Sequence, residues 1–187
     1  MTAASIWTVG HSNKTLEEFV GILKAHGIER VIDVRRYPVS RKWPHFDAGS
    51  LEGSLREAGI DYSGAPELGG RRKARPDSPH SAWRVEAFRG YADFMDTAEF
   101  AAGLERVMAL ARESRSALMC AEALPWRCHR SLIADALLGR GWTALEILSE
   151  KEARARKLPD FARLEGTRVI YDGGELPLQG TEPVVVD

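Results

Sequence analysis

The sequence predicts an α/β fold with a mainly parallel sheet flanked by helices. Two observations carry the prediction. Short apolar, β-branched runs alternate with longer runs whose apolar residues fall at helical spacing, and Gly or Pro marks most boundaries between them. Polar and reactive residues collect just after the apolar runs, where an open parallel sheet presents its ligand site.

The elements follow in order. "SIWTVG" (5–10) is a strand closed by Gly10. Thr15 caps a helix, and Glu18 completes a capping box. Leu16, Phe19, Val20 and Leu23 share one face of that helix, and Gly27 ends it. "RVIDV" (30–34) is the β-branched kind of strand that a parallel sheet buries, so the chain opens with a βαβ unit. Prolines and polar residues make 35–49 a loop; 50–59 is a short helix with Leu51, Leu55 and Ala58 inward, and "IDYSG" is a strand. Residues 65–81 read as a long loop, of a length that is usually functional or mobile. Val85, Phe88, Ala92 and Met95 mark a helix face. Asp96 or Thr97 caps the next helix, with Phe100, Leu104, Val107, Met108 and Ala111 inward. "SALMCA" (116–121) is a buried strand, "CHRSLIADALLGRG" a helix with Leu132, Ile133, Ala136 and Leu137 inward, and "TALEIL" (143–148) a strand. From Ser149 the chain is polar and irregular, apart from a terminal hairpin turning at Asp-Gly-Gly within 167–178. The whole reads as one Rossmann-like domain over 1–187, with a loop-rich insertion and an irregular C-terminal tail.

Composition narrows the function classes. The 187 residues, 44% hydrophobic and 28% charged, suffice for a core without staples. A net charge of −1 rules out a polycation, so nucleic-acid binding would rest on a local patch. Residues 35–89 offer one: eleven Lys or Arg against seven Asp or Glu, interleaved with Tyr37, Trp43, Phe46, Tyr62 and Trp83. Such a segment suits backbone gripping and base stacking, and equally suits a solvated surface. The N-terminus lacks a basic, apolar leader, and no run is long enough to cross a membrane. Two cysteines in such a chain point to a reducing cytoplasm and to thiols rather than a structural disulfide.

The strand-end rule selects the site residues. His11 and Ser12 follow the first strand, and Asp33 and Arg35 the second. Cys120 and Glu122 follow the fourth, then Arg127, Cys128, His129 and Arg130 at a helix start. Fixed positive charge and free helix N–H groups favour an anion, and the same field favours a thiolate. Each residue also has a plain structural reading. Cys120 fits a small buried side chain, His11 a hydrogen-bonded loop residue, and Asp33 a partner for Arg35. The phosphatase C-x5-R spacing is missed by one, since six residues separate Cys120 from Arg127. C-x7-C is not a usual metal-pair spacing, and no Walker or dinucleotide glycine pattern is present.

"TVGHS" (8–12), "DVRRYPVS" (33–40), Phe46, "YSGAPELGG" (62–70), "GYADFM" (90–95) and "LMCAEALPWRCHR" (118–130) resemble, in order and spacing, the successive motifs of the domain-of-unknown-function 488 family. The resemblance spans about 6–148, with Val9 in place of the usual isoleucine, and leaves 149–187 as an extension. It implies a bacterial-type cytosolic α/β domain and delivers no reaction. It adds Ser40, Tyr62, Gly69 and Gly70 to the family-like site residues.

The expectation is an enzyme with an anion-binding site at the carboxyl edge of the sheet, acting on a phosphorylated, nucleotide-like or nucleic-acid substrate. Cys120 is the candidate nucleophile and Cys128 the second thiol; Glu122, His129, Asp33 and His11 are acid–base candidates. Arg35 and Arg130, with Ser12, hold the anion. A non-catalytic nucleic-acid-binding module is the alternative, and a metal-dependent hydrolase or redox protein a third. No cofactor is predicted beyond a metal under that third reading, and no membrane partner.

Overall fold

A computed structural model of the protein describes residues 4–173. Its strands are β1 (Ser5–Gly10), β2 (Arg30–Asp33), β3 (Asp61–Gly64), β4 (Ser116–Cys120), β5 (Thr143–Ile147), β6 (Ala153–Ala155), β7 (Arg163–Glu165) and β8 (Arg168–Ile170). Its helices are α1 (Leu16–Ala25), α2 (Ala48–Glu57), α3 (Glu86–Met95), α4 (Ala98–Glu113) and α5 (Arg130–Gly139). The main sheet has six strands in the order β3-β2-β4-β1-β5-β6. All its pairings are parallel except β5 with β6, and β7 and β8 form a separate antiparallel pair.

Alternation along the strands divides the core into two layers. Val9, Val31, Ala117 and Met119 pack with Phe19 and Leu23 of α1 and Leu51 and Leu55 of α2. Ile6, Ile32, Leu118 and Ala144 pack with α3, α4 and α5 on the opposite face. The connection leaving β1 therefore runs over one face and the connection leaving β4 over the other. These strands are neighbours, so the topological switch point lies between their carboxyl ends, where an open α/β sheet binds its ligand.

Local chemistry explains the element boundaries. Thr15 accepts from the Glu18 N–H at 3.1 Å and Glu18 accepts from the Thr15 N–H at 2.7 Å, the capping box expected. Thr97, not Asp96, caps α4. Helix α3 buries Tyr91, Ala92 and Phe94, with Phe88 and Met95 packed against the core, whereas Val85, just before it, stands 50% exposed.

Two expected features change. The 65–81 loop is pinned down. Asp93 accepts from the Arg75 N–H at 2.7 Å and the Ser78 hydroxyl at 2.6 Å, and the Arg72 guanidinium lies 3.6 Å from the Phe94 ring centroid. His80, fully buried, faces Asp96 at 3.1 Å and accepts from the Tyr171 N–H at 3.3 Å. The tail beyond Ser149 is also ordered where described. Strand β6 closes the sheet edge, and Arg156 joins Asp135 at 2.6 Å and Glu146 at 2.8 Å. Tyr171 donates to Asp135 at 2.8 Å. These bonds lay the tail over α5, which is why that helix is buried on nearly every side. An antiparallel hairpin of β7 and β8 turns at Gly166, φ +61°; the second arm of the hairpin expected at Asp-Gly-Gly lies outside the described residues.

The crevice itself is closed by backbone. The N–H groups of His11 and Ser12 donate to the carbonyls of Cys120 and Ala121 at 3.0 and 2.9 Å, carrying the β1–β4 ladder past the strand ends. Gly10 permits this approach, because a Cβ there would lie 1.8 Å from the Glu122 carbonyl oxygen. Gly10→Ala is therefore expected to destabilise by at least the roughly 1–3 kcal/mol of an overpacked site. Gly53→Ala, on a helix face with nothing within 4 Å, is expected to stabilise by roughly 0.5–1 kcal/mol. Urea unfolding of the two variants measures both signs; equal midpoints would remove the close approach as a constraint.

Candidate active site

Strands β2, β4 and β1 are consecutive in the sheet, so Asp33, Cys120 and His11 stand side by side at its carboxyl edge. Two groupings of side chains form there.

The first centres on Asp33, which is 1% exposed. Arg35 donates from Nε at 2.9 Å to one carboxylate oxygen and from Nη2 at 2.7 Å to the other. The Arg35 N–H and the Tyr62 hydroxyl complete the set at 3.1 and 2.7 Å. Tyr62 deprotonates less readily than an ordinary phenol, first because it is buried and then because Asp33 is beside it. Arg35 also reaches His11 Nε2 from Nη1 at 3.3 Å. On the other side of that ring, Nδ1 lies 2.9 Å from the Ser12 carbonyl. A carbonyl only accepts, so Nδ1 carries the proton and Nε2 accepts from Arg35. Burial is the main reason that the His11 pKa falls to about 4, despite the opposing Ser12 bond; Arg35 lowers it further. The neutral ring stacks on Phe46 with centroids 4.1 Å apart. His11, Asp33 and Arg35 are thus mutually engaged, and each matches the plain structural reading of its sequence position.

The second grouping centres on Arg130, only 1% exposed. Nη1 donates to the Glu122 carbonyl and to Cys120 Sγ, the latter at 2.8 Å, and Nη2 donates to the Ala123 carbonyl at 3.0 Å. Among the described residues no carboxylate forms an ion pair with it. Burial therefore lowers its pKa to about 10, while Glu146 and Glu122 oppose that from longer range. The sulfurs of Cys120 and Cys128 are in direct contact. A C-x7-C spacing carries no mark of this contact. Their Cα atoms are 7.6 Å apart, wider than the ~4.4–6.8 Å that disulfides usually span, so the backbone spacing suits two neighbouring thiols. His129 Nε2 lies 2.9 Å from the Val34 carbonyl, which fixes its proton there and leaves the Nδ1 lone pair 3.7 Å from Cys128 Sγ. Burial also lowers the His129 pKa to about 4.

The other expected residues sit as follows. Glu122 and Arg127 are exposed, with side chains outside both groupings. Ser12 adopts φ +51°, an uncommon conformation for serine, and its hydroxyl donates to Asn13 at 3.4 Å. Ser40 closes its own loop: its N–H bonds Asp47 and its hydroxyl accepts from the Trp43 N–H at 3.0 Å. Gly69 and Gly70 serve close packing, against Arg36 and against the His129 ring. Sequence reasoning missed Lys14, whose Nζ donates to the Gly10 carbonyl at 3.3 Å. Its pKa is lowered, first by burial and then by Arg130. The strand-end rule that selected His11 would have found it three residues later. Among the described residues no three His, Cys, Asp or Glu side chains are grouped to hold a metal ion, and no helix is long and apolar enough to cross a membrane.

A family model described as "Domain of unknown function DUF488" matches residues 15–137, well over half of the chain. No curated protein and no solved structure matches it.

The geometry generates two predictions. Asp33→Ala leaves the Arg35 charge buried and unpaired, and is expected to cost about 3–5 kcal/mol in denaturant unfolding. An unchanged midpoint would show that the Asp33 grouping does not support the fold. Both imidazoles are neutral in the fold with depressed pKa values, so their contribution is complete above about 6.5 and is lost as pH falls toward 4. His129→Gln is expected to flatten stability against pH in that interval; a slope identical to the wild type would exclude His129 from it.

Proposed function

The chain belongs to the DUF488 family, and from that premise we propose that it is an enzyme working with the thiolate of Cys120 at the carboxyl edge of its sheet. One observation carries the reading: a buried guanidinium with no carboxylate partner donates to Cys120 Sγ at 2.8 Å. A buried cation needs a counter-charge, and in the reduced protein the Cys120 thiolate is the anion within hydrogen-bonding reach. A positive neighbour favours the nucleophilic form of a thiol. Lys14, which Arg130 also influences, adds to the positive field there.

The side chains first considered as anion clamps are engaged elsewhere, Arg35 with Asp33 and Arg130 with the loop carbonyls. The chemistry therefore falls to the thiol, and a small substrate suits it, because Cys120 is only 2% exposed. Asp33, His11 and Tyr62 position the edge. Nucleic-acid binding without catalysis keeps one observation in its favour: Arg36 lies over Tyr37 and Lys42 over Trp43 in the loop after β2, a basic and aromatic surface at the same edge. Its mark is affinity for single-stranded DNA or RNA that falls steeply with salt.

The thiolate reading is tested without knowing the substrate. The reduced protein is alkylated with iodoacetamide across a pH series, and the modified peptides are assigned by mass spectrometry. Cys120 is expected to react from a lower pH than Cys128, and Arg130→Met to abolish that advantage. Reaction of Cys120 only at the pH of an ordinary thiol, about 8.5, ends the reading.

A further inference from the structure

The neighbouring sulfurs carry the proposed function one step further. We propose that Cys120 and Cys128 form a catalytic redox pair that reduces a small hydroperoxide; this rests on Cys120 being the nucleophile.

Four features of the site point there. A second thiol stands in contact with the first, on the loop that leads from β4 into α5, so an oxidised Cys120 meets its partner without a large rearrangement. Arg130 donates to the attacked sulfur at 2.8 Å and remains within reach of an oxygen bound there. The Nδ1 lone pair of His129, its tautomer set by the Val34 carbonyl, faces the second sulfur at 3.7 Å. Exposure of Cys120 and Cys128 is 2% and 5%, which keeps protein disulfides away from them.

The steps balance. The Cys120 thiolate attacks one oxygen of the hydroperoxide and the O–O bond breaks. The sulfur becomes a sulfenic acid, and the departing oxygen leaves as hydroxide or alkoxide and takes up a proton from water. The Cys128 sulfur then displaces hydroxide from the sulfenic sulfur, its S–H proton passing by way of His129 Nδ1 to that hydroxide. One disulfide and one water result. A small dithiol returns two electrons and two protons, regenerating both thiols and leaving as its own disulfide. One hydroperoxide is reduced by two electrons in each cycle. The contact between the two sulfurs is where the disulfide of the oxidised state forms.

The test uses the full chain, reduced with a phosphine and freed of it, then mixed with hydrogen peroxide. Free thiols and intact mass are followed in time. Both thiols are expected to disappear together, at least about tenfold faster than the thiol of free cysteine, with the loss of two hydrogens and a Cys120–Cys128 cross-link. In Cys128→Ser one oxygen should be captured on Cys120 by dimedone, and Cys120→Ser should react no faster than free cysteine. Melting curves establish that both variants are folded. His129→Gln should slow disulfide closure and leave the first oxidation unchanged, a split that a merely structural role would not produce. A wild-type Cys120 that reacts no faster than free cysteine overturns the inference, as does oxygen captured first on Cys128. If Cys120 is still alkylated ahead of Cys128 at low pH, peroxide reduction fails while the nucleophile survives. If it is not, both fail.

Discussion

A guanidinium buried without a carboxylate beside it is the constraint on which the carboxyl edge depends. Among the described residues Arg130 is the largest fully buried side chain, placed at the first turn of α5 behind the loop that follows β4. Its donors hold the carbonyls of Glu122 and Ala123, and so hold the backbone of that loop. The loop in turn accepts the N–H groups of His11 and Ser12, and its Glu122 carbonyl excludes any side chain larger than hydrogen at Gly10. One charge thereby fixes where β1 ends, where Cys120 points and how far the crevice opens. Desolvating such a charge is costly: Nη1 also reaches the Cys120 sulfur, and the buried Nε has no hydrogen-bond partner among the described residues.

The histidines illustrate how burial and hydrogen bonding assign roles that residue type leaves open. Both rings are neutral, and both have one nitrogen committed to a backbone carbonyl. They differ in what the other nitrogen meets. For His11 it is the Arg35 guanidinium, which occupies the lone pair and makes the ring a spacer between the Asp33 grouping and Phe46. For His129 it is a sulfur, which leaves the lone pair available to a proton. The same side chain is thus a positioning element after β1 and a potential acceptor before α5.

Rigidity surrounds the edge. The loop between β3 and α3 is anchored by Asp93 and His80, and Gly90 allows its backbone to pass against α3, where a Cβ would lie 2.3 Å from the Arg72 carbonyl oxygen. The segment beyond β5 reaches back to cover α5 through Arg156 and Tyr171. Both segments look polar and loose in sequence because their anchors are single polar contacts to distant elements, which leave no periodic trace.

The order of strands and helices was legible in the residues themselves, since periodicity, the Thr15–Glu18 cap and the Gly stops are local properties of a chain. So was the edge at which polar groups gather, because Asp33, His11 and Cys120 each directly follow or end an apolar strand. Pairing was not legible. The placement of β4 between β2 and β1, the engagement of Arg35 by Asp33 rather than by a ligand, and the meeting of Cys120 with Cys128 are all relations across the fold. Local pattern says which residues reach the edge. Which of them neutralise one another, and which are left with a free lone pair or an unpaired charge, follows from distances that exist only once the strands lie side by side.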